Sequence, residues 1–153
     1  MDRDGHLGMA FLVYFGVLNI FNLYSSEYLV IGLLTAFFSS LPDIDIRLRI
    51  RHRGITHSIF TGILIGVGVG YLFNYIGLGF YIGFLPVFLG YILHILGDLL
   101  TYHPFKPLYP ISKRSISLKL FRSDNPFVNK SLLMLGVSVF VVYVLRMSGI
   151  HIF

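Results

Sequence analysis

Five apolar stretches divide this chain, at 7–24, 28–41, 57–76, 80–100 and 128–148. A helix needs about 20 predominantly apolar residues to cross a bilayer, and the first, third, fourth and fifth stretches reach that length. The second covers only about 21 Å as a helix, so it either starts within the turn at 25–27 or stops beneath the bilayer surface. Of the 153 residues, 56% are hydrophobic and 12% charged, whereas soluble domains carry about 25% charged residues. A chain this apolar has too little polar surface to cover itself in water. The expected architecture is all-α, a single domain over 1–153: a polytopic membrane bundle of about five transmembrane helices. The first stretch is longer than a signal-peptide core and ends in NLYSSEY, with no small-residue cleavage site, so it reads as a retained helix.

The basic residues set an orientation. With the N-terminus in the cytoplasm and five spans, every Lys and Arg except Arg146 falls on the inner side, out of 12 in total. That asymmetry follows the positive-inside rule and predicts a multi-pass inner-membrane protein with an external C-terminus. The net charge of +5 then reflects topology and anionic lipid; nothing outside the apolar stretches offers an element to read nucleic acid. There is no cysteine, which excludes thiol catalysis, disulfides and Cys-type zinc sites. Two inner segments alternate with period two: Ile46, Leu48 and Ile50 among arginines, and Ile116, Leu118 and Leu120 among polar residues. They could pair as a small β ribbon lying on the membrane, or stay as two solvated basic loops.

The remaining ionisable groups are not scattered. His94 and Asp98 stand four apart near the end of the fourth stretch, on one helix face. An ionisable residue inside a span costs roughly 2.5–3.5 kcal/mol on insertion scales and usually marks function. His6 precedes the first stretch, Asp43 and Asp45 follow the second, and His52 and His57 flank the start of the third. On the topology above, all of these gather at the cytoplasmic edge. Asp43 and Asp45 sit past a helix C-terminus, where the dipole disfavours negative charge, and a bound cation would relieve that. Imidazole and carboxylate donors together suit zinc, with manganese or iron as alternatives, in one or two ions.

Each residue also has a plainer reading. His94 and Asp98 could share only an intrahelical hydrogen bond, and Asp43 and Asp45 could be solvated loop acids. Thr56 would cap the third helix with His57 incidental in its first turn. His6 could be a juxtamembrane residue, His52 a solvated member of a basic run, and His103 and His151 bystanders.

The motifs together resemble a known family. GH at the start, LPDID, HRGITHS, and GYILHILGDLLT followed by PLYP are similar to the LexA-binding, inner-membrane-associated hydrolases, described as membrane-bound metal-dependent enzymes. The resemblance runs through nearly the whole chain in order. It implies a helical membrane protein whose His6, Asp43, Asp45, His52, His57, His94 and Asp98 bind divalent metal. Many members carry histidine after the second aspartate where this chain has Ile46, so one ligand of a two-ion site is missing. A fainter similarity, to zinc-dependent phospholipase C, rests on an all-helical fold and His-x3-Asp/Glu pairs.

Two classes of function follow. The first is a metal-dependent hydrolase at the cytoplasmic face, with Asp45 and His52 also candidates for proton transfer. Arg51, Arg53, Lys113 and Arg114 would clamp an anionic substrate. His94 lies about 10 Å below its helix end, which places the site near headgroup depth and favours a phosphoester, such as that of a membrane phospholipid. The second is a non-catalytic metal-binding membrane protein: a structural site, a sensor or a transporter. Transport sites sit near the bilayer midplane, whereas these ligands gather at one edge.

Overall fold

The computed structural model describes residues 1–47 and 54–150. Its helices are α1 (Arg3–Ile20), α2 (Ser26–Phe38), the single turn α3 (Ile44–Arg47), α4 (Ile59–Tyr75), α5 (Phe80–Leu99) and α6 (Pro126–Met147), with a 3-10 turn at Ile55–His57. Each long helix overlaps one apolar stretch, and local chemistry sets the ends. Asp2 caps α1 by accepting from the Gly5 amide at 2.9 Å, so the helix begins before its apolar run and takes His6 into its first turns. Ser25 caps α2 and Asn125 caps α6, with Pro126 entering where its missing amide costs nothing. The expected cap at Thr56 is not used: Ser58 accepts from the Thr61 amide and starts α4. Gly77 and Gly79 take the positive φ angles that fold α4 back onto α5.

The helices alternate in direction. The start of α1, the end of α2, the start of α4 and the end of α5 meet at one end, where His6 lies beside Asp98 and His94 bonds to Ser39. At the other end, Tyr143 of α6 donates to the Ser25 carbonyl and Arg146 to Tyr24. In the order of packing, α6 lies on α1, α1 on α2 and α5, and α5 on α4. Glycines set the closest approaches, as is usual between helices in lipid, where small residues replace the hydrophobic driving force. Gly62, Gly66 and Gly70 line the face of α4 that receives Tyr91, Phe84 and Phe80 of α5.

Two helices, α5 and α6, are long and apolar enough to cross a membrane by length and composition. The 20 residues of α5 reach about 30 Å, the thickness of the hydrocarbon core. α2 and α4 are shorter apolar helices, and the polar first turn of α1 lowers its mean hydropathy. The outer surface is apolar nonetheless: Phe37, Tyr81 and Met134 are each 72% exposed.

Among the described residues there is no strand. The segment 116–121 has no regular structure, with Lys119 at a φ of 53°, and it bonds to the end of α5 and the residues after it. Leu118 donates to the Leu99 carbonyl at 2.8 Å, Leu120 to Leu100 at 2.9 Å, and Ile116 and Phe105 form an antiparallel bridge. Most of the expected partner around 46–50, with Arg51, His52 and Arg53, lies outside the described residues. The segment after α5 is tied down: the Ile59 amide donates to the Pro107 carbonyl at 2.9 Å, and buried Phe105 packs edge-on against the His57 ring at 6.4 Å.

Candidate metal centre

α5 carries the centre of the site. Its last two turns bury His94, Gly97 and Asp98 together with Gly90. A Cβ at Gly90 would lie 2.9 Å from backbone atoms of Phe38 and Ser39; lacking one, α5 comes close enough to the end of α2 for His94 to reach it. The His94 Nδ1 lies 2.7 Å from the Ser39 carbonyl. A carbonyl can only accept, so Nδ1 carries the proton and Nε2 of the neutral ring holds a lone pair. That Nε2 is buried without a hydrogen-bond partner and faces two carboxylates, Asp43 Oδ1 and Asp98 Oδ2, each at 3.7 Å.

The Nε2 atoms of the other two histidines face the same carboxylates. His57 Nε2 lies 3.4 Å from Asp43 and 3.7 Å from Asp98; His6 Nε2 lies 3.5 Å from Asp98 and 3.9 Å from Asp43. The rings of His6 and His94 stack at 3.7 Å, and His57 meets His94 edge-on at 4.9 Å. Both carboxylates therefore face the Nε2 atoms of all three histidines. These five donors come from the start of α1, the turn after α2, the 3-10 turn before α4 and the end of α5.

The spacing fits a shared cation. Ligand atoms about 2.0–2.2 Å from a tetrahedral ion lie roughly 3.3–3.6 Å apart, close to the 3.4–3.9 Å observed between imidazole nitrogens and carboxylate oxygens. Acceptors facing acceptors at these distances repel, and a positive charge between them resolves the conflict. One such charge is present: the Met1 ammonium pairs with Asp98 Oδ1 inside the cluster. Among the described residues two groups could hold an ion, His6 with His94 and Asp98, and Asp43 with His57 and His94; within each, the donor atoms lie within 4.8 Å of one another. They share His94. Because its Nδ1 is committed to Ser39, its single remaining lone pair can serve one ion at a time, and two ions would need a further donor.

The site is nearly closed. The side chains of His6, His57, His94 and Asp98 are at most 1% exposed, whereas that of Asp43 is 21% exposed. Access among these donors is therefore at Asp43. Gly97 makes room on the opposite side: a Cβ there would lie 2.6 Å from Met1 Cε and 3.3 Å from His6 Nδ1.

Five of the sequence-predicted ligands, His6, Asp43, His57, His94 and Asp98, thus converge. Asp45 is buried but stands outside both groups, on the Nδ1 side of His57. Lys113 and Arg114 are exposed on the segment after α5, outside both groups, and His103 is exposed there too. His52, Arg51 and Arg53 lie outside the described residues, as does His151. The sequence reading missed Ser39, which acts through a backbone carbonyl and leaves no residue-type signal, and Thr56, whose hydroxyl serves Asp45 and not a helix end.

A family model described as YdjM inner membrane protein matches residues 1–152. No curated protein and no solved structure matches the chain, so neither the likeness to the metal-dependent hydrolases nor that to zinc-dependent phospholipase C is supported by these comparisons. The full-length match, the apolar exterior and the two helices of membrane-crossing length agree: the chain belongs to the YdjM inner membrane protein family, and its place is a membrane.

Proposed function

We propose that the protein is a metal-dependent hydrolase of the inner membrane acting on a phosphoester at the cytoplasmic face, with membrane phospholipid the preferred substrate class. The observation that carries this reading is the buried, partnerless Nε2 of His94 aimed at two carboxylates, a donor set that suits a divalent ion. A bound divalent ion, zinc by the chemistry of the donors, supplies an activated water and polarises the scissile group. His57, His94, Asp43 and Asp98 hold it, with His6 completing the set. Asp43, at the exposed edge, marks where substrate enters. Arg51, Arg53, Lys113 and Arg114 supply positive charge for an anionic group. The test is metal analysis of detergent-purified protein coupled to a screen of soluble phosphoesters and phospholipids. About one equivalent of zinc and turnover lost to chelator are expected; metal-free protein that also fails to load zinc would remove the reading.

The near-complete burial of four donors favours a second reading, a non-catalytic ion that staples α1, α4 and α5 together. Closed structural sites hold four protein ligands and no water. Cobalt-substituted protein with no exchangeable water, and no turnover in the screen, would select it.

The proposed topology is multi-pass, with the N-terminus cytoplasmic and the C-terminus external. It is supported by the alternation of the helices and by the side on which the basic residues fall. Reporters fused after Lys113 should read cytoplasmic and those after Phe153 external. The reverse pattern would place the site at the other face and exclude a cytoplasmic substrate.

A further inference from the structure

We infer that Asp45 and Thr56 are positioning residues that fix the tautomer and orientation of His57, so that its Nε2 is presented to the metal. The inference rests on the metal reading above and assigns Asp45 a role other than ligand or proton acceptor.

Proton accounting carries it. The Thr56 hydroxyl donates its one proton to Asp45 Oδ2 at 2.7 Å. Its contact with His57 Nδ1 at 3.1 Å is then made by an oxygen lone pair, so Nδ1 must be the donor. Asp45 Oδ2 lies 3.3 Å from the same nitrogen. Two acceptors on one side of the ring therefore hold the proton on Nδ1, and Nε2 is directed at Asp43 and Asp98 on the other. Asp45 is fully buried, so no bulk water screens the interaction. The Ser39 carbonyl does the same for His94, whereas both nitrogens of His6 lack a hydrogen-bond partner. Two of the three imidazoles are thus pre-set by an outer acceptor, as metal-bound histidines generally are. At His57 the outer acceptors are a carboxylate and the hydroxyl that bonds to it, where His94 has a backbone carbonyl.

The sequence explains how the parts meet. Asp45 lies in the one-turn α3 and Thr56 in the 3-10 turn that also carries His57. Because Ser58, two residues on, caps α4, Thr56 is released from that duty. Its hydroxyl reaches across to α3.

The experiment uses full-length protein in detergent, with Co(II) alone as the probe. Asp45→Ala should weaken Co(II) binding about 10–100-fold, the usual cost of losing an outer-shell partner, and leave the stoichiometry and the visible spectrum unchanged. Thr56→Val should weaken it less, and Thr56→Ser should restore it. A lower stoichiometry or an altered spectrum in Asp45→Ala, matching that of Asp98→Ala, would make Asp45 a ligand and overturn the inference; so would unchanged affinity in both Asp45→Ala and Thr56→Val. If Asp45→Ala fails to fold, Thr56→Val and its serine counterpart decide alone. If wild-type protein binds no Co(II), the metal reading fails, and 15N shifts of the His57 ring in metal-free protein still test the positioning. There the Nδ1–H form should dominate in wild type and give way to Nε2–H in Thr56→Val and Asp45→Ala. Identical shifts in all three would end it.

Discussion

Asp98→Asn is expected to abolish metal binding and, with it, hydrolysis, while leaving the protein in the membrane. The carboxylate of Asp98 faces His6, His57 and His94 and also pairs with the Met1 ammonium. Losing an outer-shell partner costs about 10–100-fold in affinity, so losing this ligand should exceed about 100-fold. His94→Ala should do the same, because both candidate groups use it. Stability of the metal-free protein separates a metal centre from a network of ion pairs. Asp98→Asn leaves the buried ammonium unpaired and should destabilise, by up to about 3–5 kcal/mol. Asp43→Asn should behave oppositely. Its amide can donate to a histidine lone pair where two acceptors now oppose each other, worth about 1 kcal/mol, while metal affinity collapses. Thermal unfolding in chelator and Co(II) titration together read both quantities. Metal-free Asp43→Asn less stable than wild type would mean that the histidines are charged partners of the aspartates, and would favour an ion-pair staple over a metal site.

Much of this site was legible in the sequence because it depends on period and alternation. His94 and Asp98, four positions apart, share one helix face, and the alternating direction of the five long helices brings the starts of α1 and α4 and the ends of α2 and α5 together. That logic delivers His6, Asp43, His57 and Asp98 to one place without any contact being known. What it could not deliver was the second layer. Thr56 and Ser58 are both competent caps, and only the tertiary placement of Asp45 decides which hydroxyl is diverted. The apolar run alone places His6 before the first helix, whereas the Asp2 cap starts α1 at Arg3 and takes His6 into it. The period-two pattern at 116–120 signalled extended chain but not its partner, since pairing with residues 99–105 follows from where the chain leaves α5. The pairing of α1 with α6, most distant in sequence of the helix pairs, had no signal beyond glycines of unknown orientation.

Those glycines carry the largest expected effect on the fold. A Cβ on Gly8 would fall against backbone atoms of Leu132 and Leu133 in α6, and one on Gly136 against the Gly8 carbonyl. Backbone cannot turn aside as a side chain can, so Gly8→Ala must move a whole helix. Overpacking of this kind costs about 1–3 kcal/mol when side chains can adjust, and the upper end or more is expected here. The strain also has a chemical consequence. His6 is on α1 close to Gly8, and its Nε2 lies 3.5 Å from Asp98, so displacing α1 withdraws one donor while His57, His94 and Asp43 stay in place. Gly8→Ala should therefore lower both unfolding temperature and Co(II) affinity, as should His6→Ala, which empties a buried position against His94. Two other glycines serve as controls. At Gly16 the nearest atom to an added Cβ is Val139 Cγ1 at 4.0 Å, and at Gly68 there is nothing within 4 Å. Alanine there gains helix propensity of up to about 1 kcal/mol and should stabilise or leave the protein unchanged. Equal effects at Gly8 and Gly68 would show that α1 and α6 do not cross at this point, and the route by which His6 reaches the donor set would have to be redrawn.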